Sequence, residues 1–174
     1  PQIRKLQYIC AEAEEKYKLI YESSADAIMT LGPPTWAFSS GNASAIKMFN
    51  CKDEKEFISL GPGDLSPKYQ PDGQLSSVKA KKMIMKAMKE GSNLFEWTHK
   101  RYKDRDFAAT VLLSRIKEGD KVYLQATVRD VSGEKEGERN YKELFENSAD
   151  AIFVANPRTR KLVDCNKFAI KLTG

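Results

Sequence analysis

His99 is the only histidine in the chain, so any haem iron, imidazole-based catalysis or phosphoryl relay would have to pass through it. It stands in Thr98-His99-Lys100-Arg101 on an alternating, strand-like stretch, without the acidic neighbour and proline of a phospho-acceptor helix. An ordinary exposed or strand-end histidine is the expectation. Cys10, Cys51 and Cys165 are odd in number and far apart, with no Cys-x-x-Cys spacing for zinc or a redox pair, which fits reduced thiols in a cytoplasmic compartment. Trp97 could stack on an aromatic ligand, but a large aromatic on an alternating strand is usually core, stabilising by roughly 1.5–3 kcal/mol through burial. Met83, Met85 and Met88 suit an adaptable pocket or a gap in a core. The sequence has no Gly-rich phosphate loop, no nucleophile paired with a base and no metal-ligand cluster. The chain is therefore expected not to be an enzyme, and any catalytic output to lie outside it.

The positioning elements must come from a chain of 174 residues, enough for one well-packed domain and some extra but short for two. Hydrophobic residues make up 41% and charged ones 30%, the balance of a folded globular protein. A net charge of +5, from 29 basic and 24 acidic residues mixed throughout, argues against a nucleic-acid binder. The lysines at 79, 81, 82, 86 and 89 read as the solvated face of a helix. No apolar run reaches the roughly 18–20 residues of a membrane span, and no secretory signal is evident, so no membrane contact is expected. The start at Pro1 reads as that of an excised fragment.

Internal repetition fixes the domain unit. Tyr17 to Asn50 aligns without a gap on Tyr141 to Gly174, and 14 of the 34 pairs are identical, Ser24-Ala25-Asp26-Ala27-Ile28 with Ser148-Ala149-Asp150-Ala151-Ile152 among them. The offset of 124 suits tandem globular domains and not a solenoid. The reading is an N-terminal amphipathic helix over 1–16, a complete domain over 17–132, a helical linker over 133–140 and the truncated beginning of a second domain over 141–174.

Within the complete copy, Ala27 to Leu31 and Trp36 to Ser39 flank Gly32-Pro33-Pro34 as a hairpin. Asn42 is a good N-cap for a short helix, a second helical turn falls near Glu54 to Ser59, and Ser76 or Ser77 caps a longer helix that Gly91 ends. Three strand-like segments follow: the alternating Phe95, Trp97 and His99; Phe107 to Ile116; and Val122 to Val128, with Gly119-Asp120 as the last turn. Two strands, helices, then three antiparallel strands make an α+β fold with helices packed on one face of the sheet.

This order resembles that of the PAS sensor domains. The resemblance rests on the Ser-x-Asp-Ala-Ile opening, the Asn before the first helix, Ser66-Pro67 with Gln70-Pro71-Asp72-Gly73, Phe95-Glu96-Trp97 before a basic strand, and the closing Arg129-Asp130-Val131-Ser132. Arg105 departs from it, standing where the family usually turns with a glycine, which would lengthen or strain that hairpin. The resemblance implies a five-stranded antiparallel sheet and a pocket between sheet and helices, for which Met48, Phe49, Met83, Ile84, Met88 and Trp97 are the candidates. It also implies a sensory input module, frequently dimeric, that binds a small ligand or partner and relays a signal through flanking helices to an output domain of the same polypeptide, a histidine kinase being the favoured one. The alternative is a ligand-free domain for dimerisation or spacing. The cofactor is left unknown: the long helix carries no histidine for haem, and Phe49-Asn50-Cys51-Lys52-Asp53 lacks the cysteine motif of flavin-adduct relatives.

Two further expectations concern the flanks. Ile3, Leu6, Cys10, Ala13, Tyr17 and Ile20 recur at spacings of three and four, a short heptad seam for a homodimer, the other reading being a helix folded back on its own sheet. Asp130 and Ser132 mark a signalling junction where either side chain could cap a following helix softened by Gly133 and Gly137. The partial second copy is expected to make few contacts of its own and to lean on another body.

Overall fold

The computed structural model describes the backbone of residues 2–173 and the side chains of 7–173, in two compact units, Pro1–Val131 and Ser132–Gly174. In the first unit the order is α1 (Gln2–Ser23), β1 (Ala27–Gly32), β2 (Ala37–Gly41), α2 (Ala43–Met48), α3 (Glu54–Ile58), α4 (Ser76–Glu90), β3 (Ser92–Lys100), β4 (Asp106–Glu118) and β5 (Lys121–Asp130). The strands form one antiparallel sheet in the order β2-β1-β5-β4-β3. Period-two alternation decides its faces: Met29 and Leu31, Val111 and Leu113, and Leu124, Ala126 and Val128 are buried on the side that the helices cover. This is the expected α+β fold, a five-stranded antiparallel sheet with an N-terminal helix.

Local differences from the sequence reading have local causes. Trp36 lies outside β2, because it takes the left-handed position (φ 58°) of the Gly32–Trp36 turn and its N–H closes that turn on Gly32 O at 2.8 Å. Neither Ser76 nor Ser77 is the N-cap of α4. That position is Leu75, without a side-chain bond, and the Ser76 hydroxyl instead donates to Pro67 O at 2.5 Å. Gly91 does end the helix, at φ 93°. In the β3–β4 connection Arg101 N–H bonds Arg105 O at 3.2 Å, and the left-handed residue is Lys103 (φ 57°), not Arg105. Helix α1 runs unbroken past the boundary expected at 16/17. The second helix, α5 (Ser132–Asn147), contains both glycines and extends beyond the expected 133–140.

Asn42 is the keystone of the first unit. Its Oδ1 accepts from Ala45 N–H (2.9 Å), capping α2, and from Ile28 N–H (3.0 Å) in β1; its Nδ2 donates to Tyr21 O (2.9 Å) and Asp26 O (3.1 Å). One fully buried amide thus ties α1, β1 and α2 together. The second unit, with α5, β6 (Phe153–Ala155), β7 (Leu162–Cys165) and α6 (Lys167–Thr173), repeats this device through Asn166, which bonds Ala169, Ile152, Phe145 and Asp150 at 2.9–3.0 Å. The repeat extends to neighbouring contacts: Glu22 receives Ala43 N–H as Glu146 receives Lys167 N–H, and Tyr17 stacks on Tyr21 as Tyr141 stacks on Phe145.

Contrary to the expectation of few internal contacts, the second unit is held by its own hairpin and by the Asn166 bonds. Its apolar face remains open, however. Phe153 is 45% exposed where the equivalent Met29 is 2%, and Leu162 is 65% exposed where Phe38 is 8%. The elements of the hairpin have formed while the core that buries them in the first unit has no counterpart among the described residues.

Candidate functional site

Between the sheet and the helices of the first unit lies a cavity of about 60 Å³ whose walls are almost entirely apolar. Strand β1 contributes Met29 and Leu31, β3 contributes Phe95, Trp97 and His99, and α4 contributes Ala80, Met83 and Ile84; Pro62 and Ser66 close it from the α3–α4 loop. Alternation explains the β3 set, since every second residue faces inward. Helical spacing explains the α4 set, since Ala80, Met83, Ile84 and Ala87 share one stripe.

That loop is irregular but firmly attached to β3. Gln70, 3% exposed, accepts Thr98 N–H at 2.8 Å and donates to Thr98 O at 3.0 Å, so its side-chain amide pairs with the strand as a neighbouring backbone would. Leu65 O accepts Lys100 N–H at 2.9 Å and lies 3.0 Å from His99 Nδ1. A carbonyl can only accept, so Nδ1 carries the proton and Nε2 presents a bare lone pair.

The polar groups of the wall differ in whether they are satisfied. Trp97 Nε1–H donates to Ser66 Oγ at 3.1 Å, and that hydroxyl donates to Pro62 O at 2.7 Å. His99 Nε2, by contrast, is sealed from solvent and has no protein partner among the described residues. Phe49, Trp97 and Phe107 surround the imidazole, Phe49 edge-on at 5.1 Å and Phe107 nearly parallel at 5.7 Å. Burial pushes its pKa down to about 4, with the Leu65 carbonyl opposing the shift, so the ring is neutral at pH 7. His99 is the strand-end histidine of the sequence reading, next to last in β3 and half-buried, and its place beside the cavity follows the alternation with Phe95 and Trp97.

Of the six pocket candidates, Trp97, Met83 and Ile84 line the cavity. Met48 and Met88 pack against the core without reaching it, and Phe49 is fully buried behind it, where it holds the His99 ring. Met85 is 65% exposed. Lys79 is not simply part of a solvated face: its ammonium reaches Asp72 at 2.8 Å and lies 5.6 Å from the centre of the Trp97 ring.

At the far end of the sheet the junction residue Asp130 accepts from Arg101 Nη2 at 2.6 Å. Arg101 also lies over the Phe107 ring at 4.2 Å and donates to Met48 O, so one guanidinium joins the ends of α2, β3 and β5. Next to it, Arg129 binds Asp26 through two bonds of 2.9 and 2.8 Å, which hold the Asp26 carboxyl below the usual carboxylate range. Ser132 is the first residue of α5. Along α1, Cys10, Ala13, Tyr17 and Ile20 are all exposed, whereas Ile3 and Leu6 lie outside the residues whose side chains are described. The helix is anchored by its last turn, where Tyr21 donates to Ile28 O at 3.2 Å.

Among the described residues no three metal-binding side chains gather, and no helix is long and apolar enough to cross a membrane. Residues 139–174 match the family model of the PAS domain. A search among curated proteins gives no match. Solved structures similar to the chain include the PAS domain of a two-component sensor histidine kinase, at 16% identity and a TM-score of 0.55 over 69% of this chain and 98% of that one. They include the PAS domain of nitrogen regulation protein NR(II) from Vibrio parahaemolyticus (16%, TM-score 0.52, 65% and 95%). A third is the PAS domain, in complex with ethanol, of a LuxR-family transcriptional regulator from Burkholderia thailandensis (15%, TM-score 0.54, 67% and 97%). The first unit has the fold of these PAS domains, and residues 139–174, in the second unit, match the PAS family model.

Proposed function

We propose that the first unit takes a small molecule into its core cavity and relays its occupancy, through β5 and α5, to an output domain of the same polypeptide, a histidine kinase being the favoured one. The carrying observation is the apolar cavity at the sheet's inner face. Its volume is less than half of the ~150 Å³ that admits benzene, so the walls fit neither haem nor a flavin ring, and the size class is that of the ethanol named for the Burkholderia domain. A ligand of the native state must stabilise it by about 2.7 kcal/mol at a hundredfold excess over Kd. Native mass spectrometry and thermal melts against small neutral metabolites test this; no adduct and no rise in Tm across such a set removes the ligand.

The relay rests on the Arg101–Asp130 pair, which couples the end of β5 to α2 and β3. Asp130→Ala is expected to uncouple output in the intact protein while the first unit stays folded, because the pair is partly exposed and the core does not contain it. Full signalling by that variant would remove Asp130 from the mechanism. The exposed Tyr17 and Ile20 on α1 favour a homodimer formed along that helix, which is also what a ligand-free dimerisation or spacer domain would need.

A further inference from the structure

We propose that the outward face of α4 docks on an anionic lipid surface, its lysines lying over the lipid charges and two apolar side chains reaching between the headgroups. The site is separate from the core cavity, on the other side of the helix that lines it. Spacing gives α4 two faces. Ala80, Ile84 and Ala87 belong to the core, whereas Val78, Lys81, Lys82, Met85, Lys86 and Lys89 are exposed. The exposed charge has one sign: α4 holds five lysines and a single glutamate, in a chain whose net charge is +5. Lys79 is paired with Asp72 at 2.8 Å, but Glu90 lies 4.0 Å from Lys86, and neither Lys81 nor Lys89 has an ion pair among the described residues. Lys82 stands three residues from Lys79 and four from Lys86, and like charges at such spacings weaken a helix. A helix face that meets only water gains from interleaving the two signs. A dense negative surface relieves the repulsion instead.

Lipid fits this face better than other polyanions. Val78 and Met85, two helical turns apart on one line, are 46% and 65% exposed among the lysines, so an apolar edge accompanies the charge. Lysine stems lie along apolar surface while their ammonium groups stay at headgroup level, and a cluster of four or more such cations on a helix matches an anionic bilayer. A folded acidic protein fits less well, because protein interfaces favour arginine and are depleted in lysine, and every cation of α4 is a lysine. Nucleic acid would answer the charges but set Val78 and Met85 against phosphates. No spanning segment is needed, since the contact is with the surface alone.

The test is co-sedimentation of the whole chain with vesicles of phosphatidylserine and phosphatidylcholine in equal parts, and with vesicles of phosphatidylcholine alone. The expected result at about 0.1 M salt is binding at least tenfold stronger to the anionic vesicles, most of it lost at about 1 M salt. Lys82→Gln combined with Lys89→Gln should weaken that binding by about tenfold or more, with an unchanged melting temperature because both side chains are exposed. Should that pair melt earlier, Lys81→Gln with Lys86→Gln supplies the same loss of charge on the same face. Met85→Gln should weaken vesicle binding by about threefold, since it removes apolar contact and no charge. Equal binding to the two kinds of vesicle, no binding to either, or lysine variants that bind like wild type would each overturn the proposal. Tighter binding to a DNA duplex than to anionic vesicles, unaffected by Met85→Gln, would overturn it in favour of nucleic acid.

Discussion

Asn42→Ala is expected to cost the first unit about 3–5 kcal/mol. The side chain is fully buried and makes four bonds. Alanine leaves the N–H groups of Ile28 and Ala45 and the carbonyls of Tyr21 and Asp26 without that partner, at roughly 1–3 kcal/mol for each group that water cannot reach. Asn42→Asp separates the two halves of the role, since it keeps the acceptor that caps α2 and loses the donor that holds Tyr21 and Asp26. Urea melts followed by the fluorescence of Trp36 and Trp97 would measure both. A loss under about 1 kcal/mol for the alanine variant would mean that the four groups are satisfied some other way and that Asn42 is no more than a cap.

Asn42 also shows how far the sequence could be read. Its capping role was legible because Asn before an apolar helical stripe is a local signal, and its recurrence as Asn166 marked it as part of a repeated unit. The bonds to Tyr21 and Asp26 were not legible, since they depend on where α1 ends in space. The same division runs through the cavity. Strand alternation placed Trp97 inward and helical spacing placed Ile84, but periodicity yields a face and not a depth, so it does not separate the lining residues from Phe49, Met48 and Met88, which pack in or against the core. Ser76 illustrates the opposite error: it has the type and position of an N-cap, but Pro67 O and Gln70, brought near by the loop, take its hydroxyl.

His99 stands at the strand end that the alternation indicated, but the burial of its ring depends on a loop more than thirty residues earlier, at Leu65, which no local signal in the sequence reveals. That burial has a measurable consequence in acid. The ring is held near pKa 4 in the folded state against 6.5 for an unperturbed imidazole. Between those values the unfolded chain binds a proton that the folded one does not, so stability rises with pH through this window. The contribution is fully present above about pH 6.5 and is lost as pH falls towards 4, reaching about 3 kcal/mol in all and about 2 kcal/mol by pH 5. The packed groups around the ring are Phe49, Trp97, Phe107 and the Leu65 carbonyl, and the nearest charged group named here, Arg101, lies over Phe107. Asp26 and Asp72, both held below the usual carboxylate range, add losses only at lower pH. Comparing wild type with His99→Phe isolates the imidazole: phenylalanine should lose less stability than wild type between pH 8 and pH 5, by about 2 kcal/mol, even if it starts somewhat lower for want of the Leu65 bond. The lone imidazole's proton signals should correspondingly stay in their neutral positions down to about pH 5. Parallel loss of stability in the two proteins, or an imidazole that titrates near 6.5, would mean that His99 reaches water and that the cavity wall is open at that point.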